Sequence, residues 1–178
     1  ETSCEKYADL PAFSCLGQIH TFAEIEQKSR ALAAWLQNKS GLKAGDRVII
    51  QLPNITQYPI AAFAILRAGL VLVNTNPLYT TREMEHQFSD SGAKAIIILQ
   101  DLLPKLDVIK ENTDIQCVIT TVATDLLTGD LTYQHETNFG FNQLLVEGEN
   151  LSLHTNENTT IDDTCVLQYT GGTTGVSK

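Results

Sequence analysis

"GDRVIIQLPNITQYPIAAFAILRAGLVLVN", residues 45–74, decides the fold. Gly45 and Asp46 make a turn, and the apolar run that follows as far as Leu52 reads as a strand buried on both faces. Pro59 then sits where a first helical turn tolerates it, apolar residues run nearly all round the helix, and Gly69 ends it. Residues 70–74, "LVLVN", form the next strand. A strand, a deeply packed helix and another strand in direct succession predict a parallel sheet with crossover helices.

Working outward, the same cycle repeats. Upstream, Thr21 and Glu24 form a capping box, Phe22, Ile25, Leu32 and Leu36 share one helix face, and Gly41 marks the stop. Downstream, Thr80 and Glu83 cap a helix that carries Met84 and Phe88 four residues apart and ends at Gly92. Residues 95–99, "AIIIL", and 117–122, "CVITTV", are strands, with a helix over 101–111 between them and Pro104 near its start. From 123 to 163 polar residues dominate, and only "FGFNQLLVEG", residues 139–148, offers a short packed helix. That stretch is either a surface excursion or part of an element completed elsewhere. "CVLQY", residues 165–169, is one more buried strand. The fold class expected is α/β, a mostly parallel sheet flanked by helices.

Composition narrows the function classes. The 178 residues, 43% hydrophobic, suit one globular unit. Twelve basic against 21 acidic residues give a net charge of −9, and the basic residues are scattered. No phosphate-tracking surface for nucleic acid is expected, and simple electrostatic attachment to anionic lipid is disfavoured. Cys4, Cys15, Cys117 and Cys165 form no CxxC pair and read as reduced thiols of a cytoplasmic protein. The most apolar stretch, residues 59–73, is broken by Arg67 and Gly69 and falls short of a membrane span. No signal peptide is visible, and the start at Glu1 leaves room for a removed upstream segment.

Several residues receive structural assignments. His20, His86, His135 and His154 lack metal-ligand spacing and read as surface or ordinary hydrogen-bonding residues. Trp35 belongs in the core. "NTNPLY", residues 74–79, stands at the end of a predicted strand and so could line a cleft, but turn chemistry ahead of a capped helix is the preferred reading; Asp162 and Asp163 read as a solvated pair. The absence of a Gly-x-Ser-x-Gly elbow argues against a hydrolase.

The chemistry lies in the closing stretch, "QYTGGTTGVSK", residues 168–178. It follows a strand's carboxyl end, where open α/β sheets place ligands. Glycines allow close backbone approach to an anion, threonine hydroxyls and backbone N–H groups donate to phosphate oxygens, and Lys178 adds a positive point charge. Gly175 and Lys178 are separated by Val176 and Ser177, so this is no Walker motif, and the Gly-x-Gly-x-x-Gly pattern is also absent. A flexible Gly/Thr linker is the plain alternative, and the strand before it counts against that.

"YTGGTTGVSK" resembles the phosphate-binding signature of the acyl-adenylate-forming superfamily, and its Thr-Gly-Gly form resembles bacterial long-chain fatty acyl-CoA synthetases. "LRAGLVLVNTNPLYTTREMEHQFSDSGAKAII", residues 66–97, and "LKAGDRVIIQLPN", residues 42–54, are also similar to stretches of these ligases. Resemblance covers most of 21–121 and again 163–178; Ser177 stands where many members have proline, and Gly171 where many have serine or threonine.

The resemblance implies that residues 1–178 are the N-terminal part of the AMP-binding domain of an acyl-CoA synthetase, cut at the phosphate loop, with the C-terminal domain and the catalytic residues absent. It implies ATP-dependent activation of a long-chain fatty acid to an acyl-adenylate, then transfer to coenzyme A. Thr170, Gly171, Gly172, Thr173, Thr174, Gly175 and Lys178 would cradle the triphosphate, with Thr170 in the magnesium shell. The expected co-reactants are ATP, Mg2+ and coenzyme A, and the fragment alone is expected to be inactive. A lipid substrate implies transient peripheral contact with the inner face of the membrane, and apolar area uncovered by the cut would let the fragment form a homodimer. Two rivals fit the same residues: a ligase for another carboxylic acid, and a non-catalytic phosphate-binding module.

Overall fold

The computed structural model describes residues 2–133, 135–154 and 159–170. A short helix α1 (Thr2–Lys6) leads into an antiparallel hairpin, β1 (Pro11–Cys15) and β2 (Gln18–Thr21), which stands apart from the main sheet. Leu16 and Gly17 join these two strands with φ of 51° and 81°, the left-handed pair that a tight two-residue turn requires. Leucine is seldom found in this region, and the usual asparagine-glycine signal is missing, so the sequence gives no warning of this hairpin. α2 (Phe22–Lys39) then starts at the Thr21–Glu24 capping box, with both reciprocal bonds formed.

The α/β expectation holds in detail. β3 (Arg47–Gln51), α3 (Gln57–Arg67), β4 (Val71–Asn74), α4 (Thr81–Ser91) and β5 (Ala95–Leu99) follow in order, and α4 has both the Thr80–Glu83 capping box and a left-handed Gly92 at its end. α5 (Leu103–Ile109), flanked by single 3-10 turns, leads to β6 (Cys117–Thr121). After α6 (Asp125–Thr128) come β7 (Asn138–Gly140), α7 (Phe141–Gly148) and β8 (Val166–Gln168). The six strands β7-β6-β5-β3-β4-β8 are all parallel.

Strand alternation divides the core into two layers. Val48, Ile50, Leu72, Ala95, Ile97, Cys117 and Ile119 pack with Trp35, Leu36, Ile60, Ile65 and Leu144 on the face of α2, α3 and α7. Ile49, Val73, Ile96, Ile98 and Val118 pack with Met84, Phe88, Leu106 and Ile109 under α4 and α5. The central strands therefore bury both faces, which accounts for their unbroken apolar runs. Trp35 is 1% exposed, and its indole N–H donates to Glu147 Oε2 at 2.9 Å.

The structure settles three points that the sequence left open or misplaced. The polar stretch after residue 122 is no mere excursion, because β7 completes one edge of the sheet and α7 packs back on α2. β8 is a strand, but Val166 and Gln168 are exposed, since among the described residues it borders only β4. His20 is no surface residue: it is 3% exposed, and burial pushes its imidazole below the ordinary value, against a partial upward pull from Glu24.

Candidate functional site at the carboxyl end of the sheet

Connections out of the neighbouring strands β3 and β4 diverge. The loop after β3 runs to α3 on one face, whereas the loop after adjacent β4 runs to α4 on the other. Such a reversal opens a crevice at the carboxyl ends of the strands, the usual ligand position in open α/β sheets. Here a cleft of about 530 Å³ lies at that point, walled by Leu52, Asn54 and Tyr58 after β3, residues 74–77 and Tyr79 at and after the end of β4, and Gln168 and Tyr169 at the end of β8.

The lining is polar and uncharged, and it is held by named hydrogen bonds. Tyr58 Oη donates to Asn74 Oδ1 at 3.1 Å, and Asn74 Nδ2 donates to Gln168 Oε1 at 2.9 Å. From below, Gln87 Nε2 donates to the Asn74 carbonyl at 3.0 Å and Gln51 Nε2 to the Asn76 carbonyl at 3.3 Å. Both glutamines are fully buried, and Gln51 Oε1, Gln87 Oε1 and Thr75 Oγ1 have no protein partner. Buried polar atoms of this kind are commonly met by water or ligand.

On the other face Tyr169 packs against the α4 and α5 core, and its hydroxyl donates to Asp90 Oδ2 at 2.5 Å. Burial, reinforced by the Asp90 carboxylate, pushes this phenol up to about 12, so it remains a hydrogen-bond donor at neutral pH. Burial likewise raises Tyr58. The last two residues of the "CVLQY" run are thus tied to opposite faces, and Thr170 emerges exposed immediately after them.

Of the residues expected to bind phosphate, Thr170 is at the carboxyl end of the sheet beside the cleft, while Gly171, Gly172, Thr173, Thr174, Gly175 and Lys178 lie outside the described residues. Residues 74–79 do form the expected turn, with Leu78 N donating to Asn76 Oδ1 at 2.9 Å, and all of them but Leu78 line the cleft. Their position after a predicted strand was the available signal, and turn chemistry, which accounts for the same residues, outweighed it.

The remaining candidates are structural. Asp163 accepts from Thr160 N at 2.6 Å and, like Asp162, is exposed. His86, His135 and His154 are exposed, and among the described residues no group of three His, Cys, Asp or Glu side chains could hold a metal ion. All four cysteines are free, and burial pushes the Cys117 thiol up to about 12, which makes it inert. Among the described residues no helix is long and apolar enough to cross a membrane.

Comparison with known proteins agrees with this geometry. The family model described as "AMP-binding enzyme" matches residues 1–178. A long-chain-fatty-acid–CoA ligase of Salmonella typhimurium is 43% identical over the whole chain, and the corresponding ligase of Bacillus subtilis is 35% identical over 99% of it. The chain spans 34% of the length of each of these relatives. Among solved structures, the anthranilate CoA ligase AuaEII in complex with anthranoyl-AMP superposes over 99% of this chain and 32% of its own, with TM-score 0.84 at 20% identity. The apo structure of Mycobacterium smegmatis MbtA gives TM-score 0.80 at 26% identity, over 99% of this chain and 31% of its own. The chain belongs to the AMP-binding enzyme family.

Proposed function

We propose that this chain is the N-terminal, phosphate-loop-bearing part of an AMP-forming long-chain fatty acid–CoA ligase. One observation carries the proposal: parallel pairing of β8 with β4 brings Thr170 to the sheet's carboxyl end beside the crevice, and Thr170 opens the Gly/Thr-rich stretch of the sequence. The 43% identity to long-chain-fatty-acid–CoA ligases supports the choice of acid.

A carboxylate is a poor electrophile. In the parent protein its oxygen attacks the α-phosphorus of ATP, pyrophosphate leaves, and the thiol of coenzyme A then displaces AMP to give the thioester. Thr170, Gly171, Gly172, Thr173, Thr174 and Gly175 hold the triphosphate through hydroxyl and backbone N–H donors, and Lys178 offsets charge on the departing pyrophosphate. Magnesium fits the residues present: Thr170 offers one exposed hard oxygen, which suits an ion that keeps its waters and takes most other ligands from phosphate. When bound, the ion neutralises phosphate charge.

The wide cysteine spacing without a CxxC pair is the support for a reducing, cytoplasmic setting. Transient peripheral contact with the inner face of the membrane follows from a lipid substrate, and exposed Phe63 and Leu66 on α3 offer apolar area for a second copy of the chain.

Pyrophosphate release by the parent protein, of the relatives' length, tests the proposal with ATP, Mg2+ and acids from acetate to palmitate. We expect stimulation by the long acids. Stimulation by short or aromatic acids alone would reassign the substrate, and none by any acid in a folded, ATP-binding protein would leave a phosphate-binding module.

A further inference from the structure

We propose that Asn74 is a positioning residue for the ATP chemistry, acting through Gln168 to fix where Thr170 leaves the sheet; this rests on the ligase function proposed above. β8 needs such a device. It is only three residues long, its outer residues are exposed, and among the described residues it has one strand neighbour, so its backbone bonds alone hold it weakly. Asn74 ends the neighbouring strand and is placed level with Gln168 by the parallel register.

Its side-chain amide uses both ends. The carbonyl oxygen accepts from Tyr58 Oη on α3, and the NH2 group donates across the strand gap to Gln168 Oε1, two residues before Thr170. The Asn74 backbone is itself braced by fully buried Gln87. A relay from a packed helix through a rigid strand end to the edge strand orients Thr170 without Asn74 touching phosphate, and Tyr169 on Asp90 restrains the other face.

The test is steady-state pyrophosphate release by the parent protein carrying Asn74→Ala, Gln168→Ala, both together, or Tyr58→Phe, with thermal unfolding followed in parallel. Each alanine variant should lower kcat about fivefold to tenfold with KM for the fatty acid unchanged, as loss of about one hydrogen bond's orientation in the transition state predicts. The double variant should lose no more than the worse single one, because the two side chains share one bond. Tyr58→Phe, which removes only a hydroxyl, should lower kcat about threefold. It keeps the proposal testable if Asn74→Ala fails to fold.

Unchanged kcat, multiplicative losses in the double variant, or a lowered melting temperature with full kcat would overturn the role of Asn74 while leaving the ligase function standing. A wild-type parent that releases no pyrophosphate with any acid would overturn both.

Discussion

β3 and β8 look alike in sequence and behave differently in the fold. In β3, Val48, Ile49, Ile50 and Gln51 are fully buried between two helical layers, whereas in β8 Val166 is 38% exposed and Gln168 faces the cleft. β3 contributes burial, at roughly 25 cal/mol per Å² of apolar surface, and little chemistry. β8 contributes little burial and leads into the stretch of sequence proposed to bind phosphate. Burial is therefore concentrated in the centre of the sheet, and the proposed chemistry at its edge.

Substitutions can break or sharpen that contrast. The largest loss belongs to the centre: Ile49→Ala should destabilise by about 3 kcal/mol, and Val166→Ala by under about 1 kcal/mol, as measured by urea unfolding. Equal losses would place β8 in the core.

The opposite edge comes next. β7 is as short as β8, but α7 behind it packs against α2 so closely that a Cβ at Gly148 would lie 2.0 Å from the Ala31 carbonyl oxygen. Gly148→Ala should cost about 2 kcal/mol, because backbone rather than a pliable side chain must move. A neutral result would mean that α7 shifts freely.

A smaller effect is confined to the hairpin. The folded-state value of His20 lies below 6.5, so the unfolded chain binds the extra proton first. Its contribution is complete above pH 6.5 and is lost as pH falls from there toward the folded value. His20→Asn should flatten the pH dependence of stability in that window; an unchanged slope would assign it to other groups.

Much of this was legible in the sequence because central α/β elements announce themselves by repetition. Capping boxes at Thr21 and Thr80, stop signals at Gly69 and Gly92, and unbroken apolar runs in β3 and β5 each predicted their element. The hairpin at Leu16–Gly17 was hidden because its turn lacks the usual residue pair, and β7 because three residues carry no period. That Thr170 follows a strand's carboxyl end was legible from the "CVLQY" run before it. Asn74 was not, since its partners Tyr58 and Gln168 lie 16 and 94 residues away.

The central claim is that the segment after β8 performs phosphate chemistry without holding the fold together. The most direct measurement compares wild-type and Lys178→Ala parent proteins for acid-stimulated pyrophosphate release and urea unfolding in the same preparations. The account predicts at least a tenfold loss of release, about 1.4 kcal/mol or more of transition-state stabilisation, with stability within about 0.5 kcal/mol of wild type. Full release from the Lys178→Ala protein, or a loss that merely follows unfolding, would contradict it.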